Sequence, residues 1–219
     1  MGFAVKRSVA SIISLVVSVL LLSSCSHRPV PQPEQRTEDL VPIKSITVLP
    51  VRIDIDEKAP PDPVKKAHLE EGKKVMDQLL AEYFETQPSV KFLSESELKG
   101  LDVDLSLCTT FIERTRAICV NVGSDAAMEV KLYRYIPRQG TKYGADQPAS
   151  VSFDYKLVQV KTGKILCRGQ FDETQKPLLD DILSIFSKTK KRGIKWLTAP
   201  ELAKEGIETK FNDCPYLKQ

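Results

Sequence analysis

Hydrophobic spacing changes its period several times along this chain, and each change predicts an element. Residues 8–24 carry no charge and are rich in Val, Leu and Ile, directly after Lys6 and Arg7. Residues 26–42 then mix polar side chains with Pro29, Pro31, Pro33 and Pro42, a composition that favours extended backbone and builds no core. From Ile43 to Ile53 an apolar run with Val48, Leu49 and Val51 reads as a strand, and Pro50 marks a bulge or strand end. Between Asp62 and Glu85 the spacing becomes helical: Gly72, Val75, Met76, Leu79, Leu80, Tyr83 and Phe84 share one stripe, with Lys and Glu opposite. Val90 to Leu93 predicts a short second strand, and Ser94 with Glu97 a capping box that Gly100 closes. A further helix is predicted over 109–122, with Phe111, Ile112, Thr115, Ile118, Cys119 and Val122 on one face and Gly123 at its end. On that face Cys119 reads as a small core residue rather than a nucleophile.

Beyond Gly123 the period becomes two. Ala126, Met128, Val130 and Leu132 alternate with Ala127, Glu129, Lys131 and Tyr133. After a polar loop over 137–148, Val151, Phe153, Tyr155 and Leu157 alternate with Ser152, Asp154 and Lys156. Thr162-Gly163 supplies a tight turn, and Ile165, Cys167 and Phe171 are expected on one face of the next strand. Leu178, Leu179, Ile182, Leu183 and Phe186 form another helical face, and Thr198-Ala199-Pro200-Glu201 opens a short helix expected to end at Gly206. The pattern predicts an α/β (α+β) sandwich: a mixed sheet of about five strands, in the order β-α-β-α-β-β-β-α, with helices packed on it. That body spans 43–206, and 207–219 reads as a polar C-terminal tail.

The 219 residues suit one domain. The precursor's charge of +3 falls to +1 if residues 1–24 are removed with Lys6 and Arg7, too near neutral for a nucleic-acid role. Lys188, Lys190, Lys191 and Arg192 make the one dense basic run, which reads as a solvated helix end or, alternatively, a contact for anionic lipid headgroups. Asp54, Asp56 and Glu57 lack the glycine and glutamate of a calcium loop and read as a solvated turn. The two histidines, His27 and His68, and cysteine spacings without a CxxC predict no metal site.

Residues 1–25 resemble the signal segment of bacterial lipoprotein precursors: a positive start, an apolar middle, then Leu22-Ser23-Ser24-Cys25 in the manner of a lipobox. The run falls short of the about 20 apolar residues of a membrane span and is interrupted by Ser11, Ser14 and Ser18. The resemblance implies cleavage between Ser24 and Cys25, and a diacylglycerol with an N-acyl chain on Cys25, with no other cofactor. Residues 25–42 then become a tether to a membrane. Ser26, rather than aspartate, is similar to the pattern of lipoproteins sorted to the outer membrane, with the body facing the periplasm or, alternatively, the cell surface.

With Cys25 lipidated, Cys108, Cys119, Cys167 and Cys214 remain, in a compartment where disulfides persist. Cys108 and Cys119, joined by one helix, would lie about 16 Å apart, beyond the reach of a disulfide. The expected bridge joins Cys167 on the last strand to Cys214; a simply buried Cys167 is the alternative.

The order of elements over 43–206 resembles the small α/β domain of several envelope proteins. It is similar to the periplasmic part of the curli secretion channel, to the outer-membrane lipoproteins that activate penicillin-binding proteins, and to the amino-terminal domain of the Tol-Pal translocation protein. The stretches Ser124-Asp125-Ala126-Ala127, Pro148 to Phe153, Thr162 to Leu166, Phe171 to Gln175 and Trp196 to Ala199 resemble a group of uncharacterised bacterial lipoproteins. No catalytic residue is implied, because that group has no catalytic motif to match. The curli channel's membrane hairpins have no counterpart, since 137–148 is short and contains Arg138, Gln139, Lys142 and Asp146.

Three functions follow. The first is a non-enzymatic accessory lipoprotein, an adaptor in envelope assembly or export, with an envelope protein as partner and homo-oligomers left open. The second is a lipid- or glycan-binding module, which would need an apolar cleft lined by Trp196 and tyrosines. The third is a carboxylate-based hydrolase, for which Asp172 and Glu173 are the most tempting pair; as neighbours on a strand they should point to opposite faces.

Overall fold

The computed structural model describes residues 40–55, 62–101, 103–104, 106, 108, 110–141, 145–175 and 196–218. Outside them lie the first 39 residues with Ser24 and Cys25, the helix predicted around Leu178 to Phe186, and the basic run at 188–192.

In chain order the elements are β1 (Ile46–Val48), β2 (Arg52–Ile53), α1 (Pro63–Phe84), β3 (Val90–Phe92), α2 (Glu95–Gly100), α3 (Phe111–Val122), β4 (Ala126–Ile136), β5 (Gln139–Gly140), β6 (Ala145–Gln147), β7 (Ser150–Gln159), β8 (Ile165–Thr174) and α4 (Ala199–Phe211). The main sheet runs β3-β1-β4-β7-β8, with β2 beside β4. β1 is parallel to both neighbours, whereas β4, β7 and β8 are antiparallel. The mixed α+β class read from the sequence is therefore the architecture of the unit from Pro42 onward. The expected loop over 137–148 carries the β5–β6 hairpin.

Helix α1 starts where Asp62 accepts a hydrogen bond from the Lys65 backbone and Pro63 occupies the first turn. Its buried residues are Leu69, Gly72, Met76, Leu80 and Phe84, at the spacing of one helical face. They pack with Ile46, Val48, Met128, Val130, Leu132, Phe153, Tyr155 and the apolar side of α4 into the main core.

Three bulges correct the simple alternation. Val48 pairs with Met128 but Arg52 with Lys131, so four steps on one strand match three on the other around Pro50. Proline has no N–H for the ladder, which makes this its tolerated position. The Val51 N–H, turned out of the ladder, donates instead to Asp77 Oδ1 on α1 at 2.7 Å. A second bulge at Tyr133 lets Leu132 pair with Phe153 and Tyr135 with Val151, returning Tyr135 to the core face. A third, at Leu166, puts Cys167 opposite Leu157 but Ile165 opposite Val158. Ile165 was expected to share the face of Cys167 and Phe171; the bulge turns it to the other side, where it is exposed.

One further expectation fails on β4. The alternation implies one buried face, with Ala127 and Glu129 on the other, yet both are buried. Helix α3 covers that side, where Leu49, Leu93 and Ile118 make a second, smaller core.

The C-terminus also differs from the expectation. The polar tail expected over 207–219 is, through residue 218, part of the body, which does not end at 206. Helix α4 continues through Gly206 to Phe211, and Ile207, Phe211, Cys214 and Leu217 are all buried at spacings of three or four residues. Gly206 serves close packing rather than helix termination: a β-carbon there would stand 2.7 Å from Cδ1 of Phe171. Phe211 meets Tyr155, Tyr83 and Phe84 with ring centroids 4.9, 5.3 and 5.8 Å apart. Cys214 is disulfide-bonded to Cys167 across a Cα–Cα distance of 5.8 Å, while Cys108 and Cys119 are free thiols.

Candidate functional site

The chain leaves β1 for β3 through α1, then crosses back over β1 to β4 through α2 and α3. Connections therefore reverse direction at β1. In open α/β sheets, the crevice beyond the carboxyl ends of the strands at such a reversal is where ligands commonly bind. Here that place holds a half-open cleft of about 250 Å³. Its floor is Leu49, Pro50, Val51 and Ile53 from the β1–β2 bulge, Leu98 from α2 and Ile118 from α3. Arg52, Lys73, Lys99, Arg114 and Glu95 supply its polar lining.

Two guanidinium groups converge on one carboxylate there. Arg52 Nη1 lies 3.1 Å and Arg114 Nη2 2.5 Å from the same oxygen, Glu129 Oε1. The Glu129 side chain is 9% exposed and that of Arg52 46%, so the acid is the enclosed partner, behind the lining, and Arg52 stands at the rim. Burial, and then the neighbouring Arg52, lower the Arg114 pKa against the pull of Glu129, although an arginine stays cationic throughout the ordinary pH range. Beside this trio, Lys73 Nζ bridges Asp77 at 3.1 Å and Glu95 at 2.6 Å. Burial works to lower the Lys73 pKa, but the hydrogen bonds to Glu95 and Asp77 outweigh it and hold it above its ordinary value. The same bond to Lys73 lowers that of Glu95. The arrangement can bind an anion attached to an apolar body.

The structure brings few of the sequence-selected residues together. Asp172 accepts a hydrogen bond from Arg134 on the outer face of the sheet, and Glu173 lies opposite the core residue Val151, so the two carboxylates point apart. Trp196 is buried with its carbonyl held by Arg138 Nη1 at 2.7 Å, and among the described residues neither it nor any tyrosine lines the cleft. His68 is half-buried on α1, and among the described residues no three His, Cys, Asp or Glu side chains gather as metal ligands. Sequence reasoning passed over Arg52, Arg114 and Glu129. Their one signal was Arg52 set between the apolar Val51 and Ile53, and Glu129 within the alternating β4, which only the α3 crossover makes meaningful.

No protein-family model matches the sequence, and no curated protein matches it. Among solved structures the chain is similar to the PelC dodecamer from Paraburkholderia phytofirmans, at 10% identity and a TM-score of 0.43, over 80% of this chain and 89% of that one. It is similar to lipoprotein GNA1162 from Neisseria meningitidis at 17% identity and a TM-score of 0.38, over 67% of this chain and 96% of that one. The LpoB C-terminal domain from Salmonella enterica matches at 15% identity and a TM-score of 0.37, over 63% of this chain and 87% of that one.

Proposed function

We propose that this chain is an accessory lipoprotein, anchored in the outer membrane by acyl chains on Cys25, that works without catalysis by docking to another envelope protein in assembly or export. The observation that carries the reading is Leu22-Ser23-Ser24-Cys25 placed after a basic start and an apolar run, and before a proline-rich stretch leading into a folded body. Residues 26–42 reach about 20–25 Å as a random coil, and further when the prolines extend them. Tethering raises the body's effective concentration near membrane-bound partners, so a weak interface suffices. Several side chains that a thiol- or carboxylate-based hydrolase could use are engaged elsewhere or disfavoured as nucleophiles. Cys167 and Cys214 are bonded to each other, Asp172 pairs with Arg134, and burial pushes the Cys119 thiol up to about 11.

The test is metabolic labelling with a fatty acid. The wild-type chain should incorporate label and partition with outer membranes, and Cys25→Ala should incorporate none. Unchanged labelling in that variant rejects the anchor, and with it the reading.

A further inference from the structure

We infer that the cleft at the β1–β2 bulge receives a partner-protein segment carrying a carboxylate beside an apolar side chain. This rests on the docking reading above and names the surface and the chemistry it would use.

Charge is the first support. Glu129 gives one negative charge to two guanidinium groups, and Lys73 is shared between Asp77 and Glu95. Among the described residues the lining holds four cations, Arg52, Lys73, Lys99 and Arg114, whose carboxylate partners are three, Glu95, Asp77 and Glu129, and the surplus lies at the arginine end. Each guanidinium has five N–H donors in a planar fork that fits a carboxylate, and Glu129 Oε1 takes only one from each.

Shape is the second. The floor of Leu49, Val51, Leu98 and Ile118 is apolar, so an occupant that satisfies the arginines also meets hydrocarbon. A volume of about 250 Å³ is below the range of roughly 300–1,000 Å³ that encloses a drug-sized ligand. It suits one or two side chains of a larger partner. The cations converge into a concavity rather than spreading over an exposed face, which favours a protein segment over a lipid surface.

Rigidity is the third. The bulge is pinned to α1 by the bond from the Val51 N–H to Asp77, so the cleft keeps its floor without an occupant. A preformed site loses little conformational freedom on binding.

The test uses the complete chain, purified from membranes in detergent, and fluorescein-labelled Ala-Leu-Glu-Leu-Ala with its glutamine counterpart. Anisotropy at low salt should show the glutamate peptide binding about tenfold more tightly, as one charge-assisted hydrogen-bonded pair warrants. Arg52→Gln and Lys99→Gln, both at exposed lining positions, should each weaken it several-fold while leaving the far-ultraviolet circular dichroism unchanged. Equal affinity for the two peptides, or indifference to both variants, overturns the proposal. So does a result in which Arg52→Gln abolishes binding to phosphatidylglycerol vesicles and leaves the peptide untouched, since the cleft would then be a lipid site. Failure of the peptide while in-cell cross-linking still traps an envelope protein through other surfaces overturns the cleft assignment and leaves docking intact.

Discussion

A β-carbon on Gly72 of α1 would stand 2.4 Å from Cγ of Tyr135 on β4, closer than packed carbons approach. The ring is buried and has no solvent to swing into. Gly72→Ala should gain about 1 kcal/mol of helix propensity and lose about 1–3 kcal/mol to overpacking. Because three ring atoms lie within 3 Å, packing should win. A lower urea midpoint, by about 1–2 kcal/mol in stability, is the expected result.

Alkali should unfold the body through protons that the folded state holds too tightly. Burial raises Cys119 from 9.0 to about 11, and Tyr135 and Tyr155 each from 10.0 to about 12. A raised folded pKa gives stability that is complete below the unfolded value and is lost as pH rises toward the folded one. Loss should therefore begin near pH 9 with Cys119 and steepen above pH 10 with the tyrosines, at about 1.4 kcal/mol per pH unit for each group. The Tyr135 hydroxyl finds no hydrogen-bond partner among the described residues, so Tyr135→Phe should fold well and flatten the upper limb. Denaturant midpoints from pH 8 to 12 measure both slopes.

Removing the acid behind the two arginines should cost more than removing Arg52 at the rim. Glu129→Gln leaves two half-enclosed guanidinium groups facing each other, and loss of one partner from a buried pair costs about 3–5 kcal/mol. Since Arg52 is 46% exposed, the lower end of that range is expected. Arg52→Gln, by contrast, should change stability by less than about 1 kcal/mol.

The Cys167–Cys214 bridge closes a loop of 47 residues onto the last turn of the chain. In the chain-entropy account that constraint stabilises by about 4 kcal/mol. The double variant Cys167→Ala with Cys214→Ala should lose about that much, and dithiothreitol should lower the wild-type midpoint while leaving the double variant unmoved.

Local elements were legible wherever one residue type had one reason to be present. Ser94 with Glu97, Thr198 with Glu201, and Gly123 with its φ of 75° each mark a helix end by chemistry confined to a few residues. Residues whose role depends on a distant strand were not legible. Gly206 reads as a helix stop, but is there because Phe171 and Phe153 press against it. Ile165 and Tyr135 change face through bulges that leave no mark on the apolar–polar pattern. The cleft was hidden for the same reason. Glu129 alternates like a solvent-facing residue until α3 crosses over it and brings Arg114 within 2.5 Å.

In-cell photo-cross-linking reads most directly whether the tethered body docks. Photoreactive residues at Lys99 on the cleft, at Arg138 and Gln139 by the β5–β6 hairpin, and at Arg168 and Gln170 along β8 sample the surfaces open to a partner. A discrete envelope protein, or a second copy of the chain, should be trapped from one cluster of positions. The yield should fall with Cys25→Ala, because loss of the anchor lowers the local concentration. Traps from no position, together with turnover of a cell-wall or lipid substrate by the purified protein, would contradict docking and return the chain to the enzymes.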